Sequence, residues 1–360
     1  MPVDSVLLIG GSGFLGLHLI QQFHVSKSNP EIHVFDIRPL PDFLPSAFTF
    51  NREKVHFHKG DITSPEDVSR AILDSKCDVV VHSASPMHGL DQKIYEKVNI
   101  EGTKNVIKIC KKLKIRALVY TSSAGVIFNG QDVYNADESW PIPEVPMDGY
   151  NETKAIAEDL ILSANEANGS GSDGYLATVA LRPAGIFGPG DRQLIPGLRE
   201  AARAGQSKFQ LGDNNNLFDL TYVGNVADAH VLAAEKLLDA STRDSVAGEK
   251  FFITNDSPIY FWTAARTVWK ADGIVDKYNI VLRRPVALAI GHISEFVAKF
   301  TGKKPSMTPF RVRVVCAVRY HNISKAKEIL GYKPNVGLEE GIKKTLEWMD
   351  EEKRYLASAK

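Results

Sequence analysis

Residues 9–16 read Ile-Gly-Gly-Ser-Gly-Phe-Leu-Gly, and this stretch decides the fold. An apolar run, Val6 to Ile9, leads into it, and the segment from Phe14 to Phe23 has helical periodicity. The reading is strand, tight turn, helix. Gly10 meets the backbone angles of the turn, and Gly13 lets the main chain approach a ligand. Gly16 lets the helix pack close to the strand. The N–H groups at the helix start, at Phe14 and Leu15, then face outward, where they can hold a pyrophosphate. The glycines are spaced by three residues, which departs from the G-x-G-x-x-G form.

Three more apolar strands follow. Ile32 to Phe35 ends at Asp36, twenty residues past Gly16. An acid there accepts hydrogen bonds from the adenosine ribose of a dinucleotide and repels a 2′-phosphate. NAD is therefore expected, with Arg38 as the feature that would admit NADP. Val55 to His58 runs into Gly60-Asp61-Ile62, where Asp61 and the backbone of Ile62 can read an adenine amino edge. Val79 to His82 leads into Ser83, Ala84 and Ser85, small residues that let the backbone pass a cofactor.

Residues 150–154 read Tyr-Asn-Glu-Thr-Lys. Tyr150 and Lys154 lie four apart, on one helix face. A tyrosine with its usual pKa of about 10 is a poor base. The charge of Lys154 is expected to favour the phenolate and lower the Tyr150 pKa, and its ammonium can also hold a nicotinamide ribose. Upstream, the strand Ala117 to Tyr120 ends in Thr121-Ser122-Ser123, and Ser123 rather than Ser122 is expected to orient a substrate oxygen. A dinucleotide turn and a proton acceptor together point to hydride exchange with an alcohol or ketone.

With these residues the chain resembles the extended short-chain dehydrogenase/reductases over nearly its whole length. Within them it resembles the 3β-hydroxysteroid dehydrogenase family. The matching segments are GGSGFLG at 10–16, GDI at 60–62, NIEGT at 99–103, YTSSAGV at 120–126, YNETK at 150–154, LRPAGIFGPGD at 181–191 and TYVGNVADAH at 221–230. The resemblance implies Ser123, Tyr150 and Lys154 as the catalytic set. It implies cofactor contacts at the glycine turn, Asp36 and Asp61, and adds Asn99 and Pro183. The early motifs are shared with sugar-nucleotide epimerases, so the steroid side rests on 181–191, 221–230 and the tail.

The activity it implies is NAD-dependent oxidation of the 3β-hydroxyl of a 4α-carboxysterol, with loss of the carboxylate as carbon dioxide. Rival readings are a 3β-hydroxysteroid dehydrogenase/isomerase, a UDP-sugar 4-epimerase and a non-catalytic NAD(P) sensor. Intact Tyr150 and Lys154 argue against the sensor. An apolar pocket would separate a sterol from a nucleotide diphosphate.

The expected fold is α/β, a Rossmann-type doubly wound parallel sheet with a smaller C-terminal substrate-binding lobe. Residues 1–182 and about 221–255 are assigned to the dinucleotide domain, and about 183–220 and 256–360 to the lobe and C-terminal segment. A polar loop is expected at 165–175. The 43 basic and 43 acidic residues balance and are scattered, which argues against a nucleic-acid partner. Cys77, Cys110 and Cys316 show no metal or redox spacing, so no metal is expected. The first strand is expected near Ser5, leaving no place ahead of it for an apolar leader.

Among the lobe's polar residues, Arg192 and Arg199 are candidates for a substrate carboxylate, and His88 for the pocket wall. His230 reads as a helix residue bonded locally. Tyr260, Phe261 and Trp262 either roof a flat ligand or pack in the core. No run of 18 apolar residues exists, so no spanning helix is expected. Residues 285–300 are two-sided: Val286, Ile290, Ile293, Val297 and Phe300 share one face, and His292, Glu295 and Lys299 the other. With Arg283, Arg284, Lys303 and Lys304 at its ends, such a helix can lie in a bilayer interface. The expectation is peripheral attachment to the cytosolic face of the endoplasmic reticulum membrane, with a cytoplasmic location as the alternative. A homodimer and other sterol-biosynthesis enzymes are candidate partners.

Overall fold

The computed structural model describes all residues except 1, 45, 167–175, 303, 304, 306 and 359–360. Most of the polar loop expected at 165–175 therefore lies outside the described residues, as do Lys303 and Lys304.

Seven parallel strands form the central sheet. They are β1 (Ser5–Ile9), β2 (Glu31–Asp36), β3 (Val55–Lys59), β4 (Val79–His82), β5 (Ala117–Thr121), β6 (Ala177–Pro183) and β7 (Glu249–Ile253). Their spatial order is 3-2-1-4-5-6-7. All residues of β1, β5 and β6 are buried, as unbroken apolar runs require when both sheet faces are covered.

Alternate residues feed two cores. Val6, Leu8, Val34, Val119 and Val179 pack on one face against the first helix, α1 (Phe14–Val25), through Leu19, Ile20 and Phe23. Leu7, Ile9, Phe35, Val80 and Leu118 face the other way. There they meet α2 (Pro65–Ser75), α3 (Thr103–Lys112) and α4 (Gly149–Ser163) through Val68, Ile72, Val106, Ile109, Ala157 and Ile161.

The strand order reverses between β1 and β4. In open α/β sheets the crevice at the carboxyl ends of such strands is where ligands bind. The glycine turn after β1 and the segment 83–85 after β4 flank it. Leading into α3, Glu96–Gly102 is wound as a π-helix, a form often found at functional sites. It carries Asn99.

The C-terminal lobe holds α5 (Leu194–Arg203), α7 (Phe261–Ala271), α8 (Arg284–Thr301), α9 (Pro309–Cys316) and α10 (Leu338–Ser358). Between α5 and α7, α6 (Val223–Leu238) returns to the main sheet and packs on α1 and β5. A four-stranded sheet in the order 259–260, 217–218, 319–321, 133–136 organises the lobe. Its last strand, Val133–Ala136, comes from the segment that the sequence reading leaves with the dinucleotide domain. Pairing with Arg319–His321 draws it across, a long-range register that no local pattern encodes.

Candidate active site

The end of β5 distributes three neighbouring residues to three tasks. The Thr121 hydroxyl donates to His230 Nε2 at 2.7 Å, and His230 Nδ1 donates to the Val226 carbonyl at 2.8 Å. Burial holds the His230 pKa down at about 4, so the ring is neutral. Ser122 donates to Glu158 Oε2 at 2.6 Å, inside a buried ion pair of Glu158 with Arg182. Ser123 caps a short turn by accepting from Gly125 N at 3.0 Å, and it borders a cavity of about 320 Å³. Ser123, not Ser122, therefore faces open space.

Tyr150 borders the same cavity from the first turn of α4. Asp148 caps that turn, accepting from Asn151 N at 2.8 Å. The Tyr150 ring lies 4.6 Å from His88 and edge-on to Tyr95 at 5.8 Å. Ser85 lies beside its phenol and favours the ionised form. Ser85 donates to Asn99 Oδ1, Asn99 donates to Thr153 Oγ1, both at 3.0 Å, and Thr153 donates to the Gly149 carbonyl at 2.9 Å. Asn99 thus locks Ser85 to the helix that carries Tyr150.

Lys154 corrects an expectation. It is 2% exposed, donates to the Thr121 carbonyl, and sits 4.3 Å from the centroid of the Tyr120 ring. Burial pushes its pKa down to about 7, against the pull of Glu158. Burial pushes the Tyr150 phenol up to about 12; Ser85 opposes this and Asp148 and Tyr95 add to it. Lys154 does not lower the Tyr150 pKa here. Removing both groups from water disfavours both charged forms, and the ammonium is taken up by a carbonyl and a ring.

The glycine turn fits a dinucleotide. Gly10 has φ of +85°, and a Cβ there would lie 2.7 Å from the Ala84 backbone. A Cβ on Gly16 would lie 2.4 Å from the Gly10 carbonyl oxygen. Gly13, with φ of −81°, would meet only that same oxygen at 3.2 Å. Ser12 Oγ is buried in the turn without a hydrogen-bond partner, as a site for phosphate oxygens would leave it. No side chain caps α1, and its leading N–H groups, at Phe14, Leu15 and Gly16, have no acceptor within the helix.

Asp36 reaches the turn, accepting from Ser12 N at 3.2 Å and Arg38 N at 3.1 Å, while the Arg38 side chain is exposed. Asp61 is exposed and accepts from Thr63 N at 2.8 Å. The Ile62 side chain is core, packed where Gly102 lacks a Cβ, so only its backbone is available to a ligand. Ser83 donates to the Ile9 carbonyl at 3.0 Å, fastening β4 to the turn. Pro183 ends β6 at the cavity wall.

The sequence profile of the 3-beta hydroxysteroid dehydrogenase/isomerase family matches residues 7–284. The chain belongs to this family. It is 68% identical to the sterol-4-alpha-carboxylate 3-dehydrogenases, decarboxylating, of Saccharomyces cerevisiae and Candida albicans, over 97% of this chain and 99% of each relative. Among solved structures it resembles the Thermus thermophilus UDP-glucose 4-epimerase in complex with NAD. That likeness has a TM-score of 0.64 at 23% identity, over 96% of this chain and 98% of that one; it shows the shared fold.

The cavity separates this family member's candidate residues further. His88 lines it, as expected, and sits 3.3 Å from Asp148 Oδ2. Arg192 does not: it pairs with Glu352 at 2.6 Å and lies over Trp348. Arg199 is held by Asp272 at 2.5 Å. Phe261 and Trp262 pack in the lobe's core against Phe218 and Trp269, and Tyr260 points to solvent. None of these three borders the cavity. Sequence reasoning missed Glu158, although it stands at i+4 from Lys154, and missed Arg182, Asp219, Arg319 and His321. Those last four depend on long-range pairing.

Proposed function

We propose that the chain oxidises the 3β-hydroxyl of a 4α-carboxysterol with NAD, and that the carboxylate then leaves as carbon dioxide. The observation that carries this is the cavity wall. Ser123 and Tyr150 meet in a space lined mainly by Ile127, Phe128, Val133, Met147, Phe218, Phe310 and Val314. Such a wall suits a flat apolar ring system. The names of the two yeast relatives point the same way.

Bound NAD supplies the acceptor for the C3 hydrogen and its electron pair, and brings a positive ring charge. The glycine turn, Asp36 and Lys154 would hold it. Ser123 holds the substrate oxygen, and Tyr150 takes the hydroxyl proton at its phenol oxygen. Burial favours the protonated phenol, so its own proton passes to solvent before it accepts the substrate's; the positive ring charge of bound NAD would favour that loss, and Lys154 would hold the cofactor's ribose. The product is a 3-keto acid. The electrons of its C4–carboxyl bond move into the C3 carbonyl as carbon dioxide leaves, and the enolate takes a proton at C4. The test is NADH formation with a 4α-carboxysterol, against UDP-galactose as control; turnover of UDP-galactose alone would overturn the reading.

Cofactor choice rests on Asp36. NAD should be preferred, and Asp36→Ala should shift the kcat/KM ratio toward NADP on the order of tenfold or more, since like charges in contact cost several kcal/mol. A strong preference of the wild-type enzyme for NADP would give the deciding role to Arg38.

We place the enzyme peripherally on a membrane, at the cytosolic face of the endoplasmic reticulum. Among the described residues no helix is long and apolar enough to cross a bilayer. Support comes from α8. Ala287 and Gly291 turn inward, and Gly291 packs on Pro309. Val286, Ile290, Ile293, Phe296, Val297 and Phe300 are exposed, Phe300 by 76%. Neighbouring α9 lines the cavity through Phe310 and Val314, so the apolar face lies close to the sterol site. Wild-type protein should float with liposomes, and an Ile290→Glu/Ile293→Glu double mutant that still binds NAD should not. Equal flotation would remove α8 as the anchor.

A further inference from the structure

Arg319 is a half-buried cation without an anion. It stands on the strand Arg319–His321 and borders the same cavity as Ser123 and Tyr150. Its guanidinium carbon lies 4.5 Å from the ring centroid of Phe128 and 4.7 Å from that of Phe218. Nη2 donates to the Val314 carbonyl at 3.1 Å, while Nε is buried and has no partner. A guanidinium carries five N–H donors, so most of its bonding capacity is unspent. Burial pulls its pKa down to about 10, and no neighbouring carboxylate opposes that shift.

Neither of the two acids on the cavity wall pairs with Arg319. Asp219 accepts from His321 N at 2.8 Å and His321 Nδ1 at 2.9 Å. Asp148 caps α4 and faces His88. Arg319 is the one lysine or arginine among the described residues lining the cavity. A half-buried guanidinium with no anion beside it is costly, so its unspent donors call for an anionic partner.

We propose that Arg319 receives the substrate's carboxylate. This rests on the functional reading above. The 3-hydroxyl and the 4-carboxylate sit on adjacent carbons, so a sterol whose hydroxyl reaches Ser123 and Tyr150 brings its carboxylate into this cavity. The aromatic neighbours hold the guanidinium in place, and its free N–H edge matches a carboxylate in bidentate fashion. Arg319 is then a specificity residue: it selects the acid over a sterol that lacks the carboxylate. It takes no part in proton transfer.

The test compares wild type, Arg319→Gln and Arg319→Lys with two substrates, a 4α-carboxysterol and the matching 4α-methyl 3β-hydroxysterol. Arg319→Gln should lower kcat/KM for the acid on the order of 100-fold, chiefly through KM. Its effect on the methyl sterol should stay within about threefold, because only the charged contact is lost. Arg319→Lys should recover part of the loss. Calorimetry with NADH-loaded enzyme supplies a readout without turnover: wild type should bind the acid more tightly than its methyl ester, and Arg319→Gln should abolish the difference. NADH affinity and melting temperature serve as controls for folding. Equal losses for both substrates, or an unchanged preference for acid over ester, would overturn the assignment. Wild-type enzyme that oxidises neither sterol would overturn the functional reading itself, and this inference with it.

Discussion

Tyr150→Phe should lose about three orders of magnitude in turnover while its NAD affinity stays within about twofold. The substitution removes one oxygen and leaves the ring, which keeps its contacts with His88 and Tyr95. Tyr150 borders the cavity together with Ser123. Ser123 can hold the substrate oxygen, but its hydroxyl has no basic partner in the described network. Stopped-flow absorbance of NADH and fluorescence titration of cofactor separate the two effects. Near-normal turnover would remove Tyr150 from proton transfer.

Lys154→Met should lower turnover by at least about 100-fold and weaken NAD binding, and it should also change how stability depends on pH. The folded pKa of Lys154 is about 7, against a reference of 10.5 for an unburied lysine. Between those values the unfolded chain binds more protons at this residue. Stability of the cofactor-free protein should therefore rise with pH, by up to about 1.4 kcal/mol per unit. Tyr150 and Cys77 are shifted the other way, to about 12 and about 11 from 10.0 and 9.0. They favour the protonated fold, so they lower stability only as pH rises through about 9 and beyond. Unfolding also protonates His18, His33, His82 and His230, which burial holds down at about 3 to 4, so the window that isolates Lys154 is about pH 7.5 to 8.5. Denaturant melts of wild type should show the slope there, and Lys154→Met should flatten it. An equal slope in the mutant would mean that another group carries it.

What could be read from the sequence was local. The glycine turn joins a strand to the helix that follows it, and its fit depends on residues 10–16, with Ala84 as the main outside contact. Tyr150 and Lys154 share a helix face because they are four apart. Strand runs such as Val79 to His82 announced burial on both sides. The direction of the Lys154 ammonium was not legible, because its acceptor, the Thr121 carbonyl, lies 33 residues away on another element. Arg192 looked available for a ligand until Glu352, 160 residues later, closed on it. Arg319 carried no signal of its own. Its place follows from a strand pairing with Val133–Ala136 and from Phe128 and Phe218, brought in by separate segments. The exposed side of α8 was visible as a two-sided pattern, but only packing through Ala287 and Gly291 determined which side stays outside.

In the proposed reaction, oxidation at C3 causes the loss of the neighbouring carboxylate. The measurement is the ratio of carbon dioxide to NADH from a 4α-carboxysterol labelled in its carboxyl carbon, followed with and without NAD. One carbon dioxide per NADH is predicted, with no release when NAD is omitted and none from Tyr150→Phe above about a thousandth of the wild-type rate. Label released without NAD, or NADH formed while the label stays on the sterol, would contradict it.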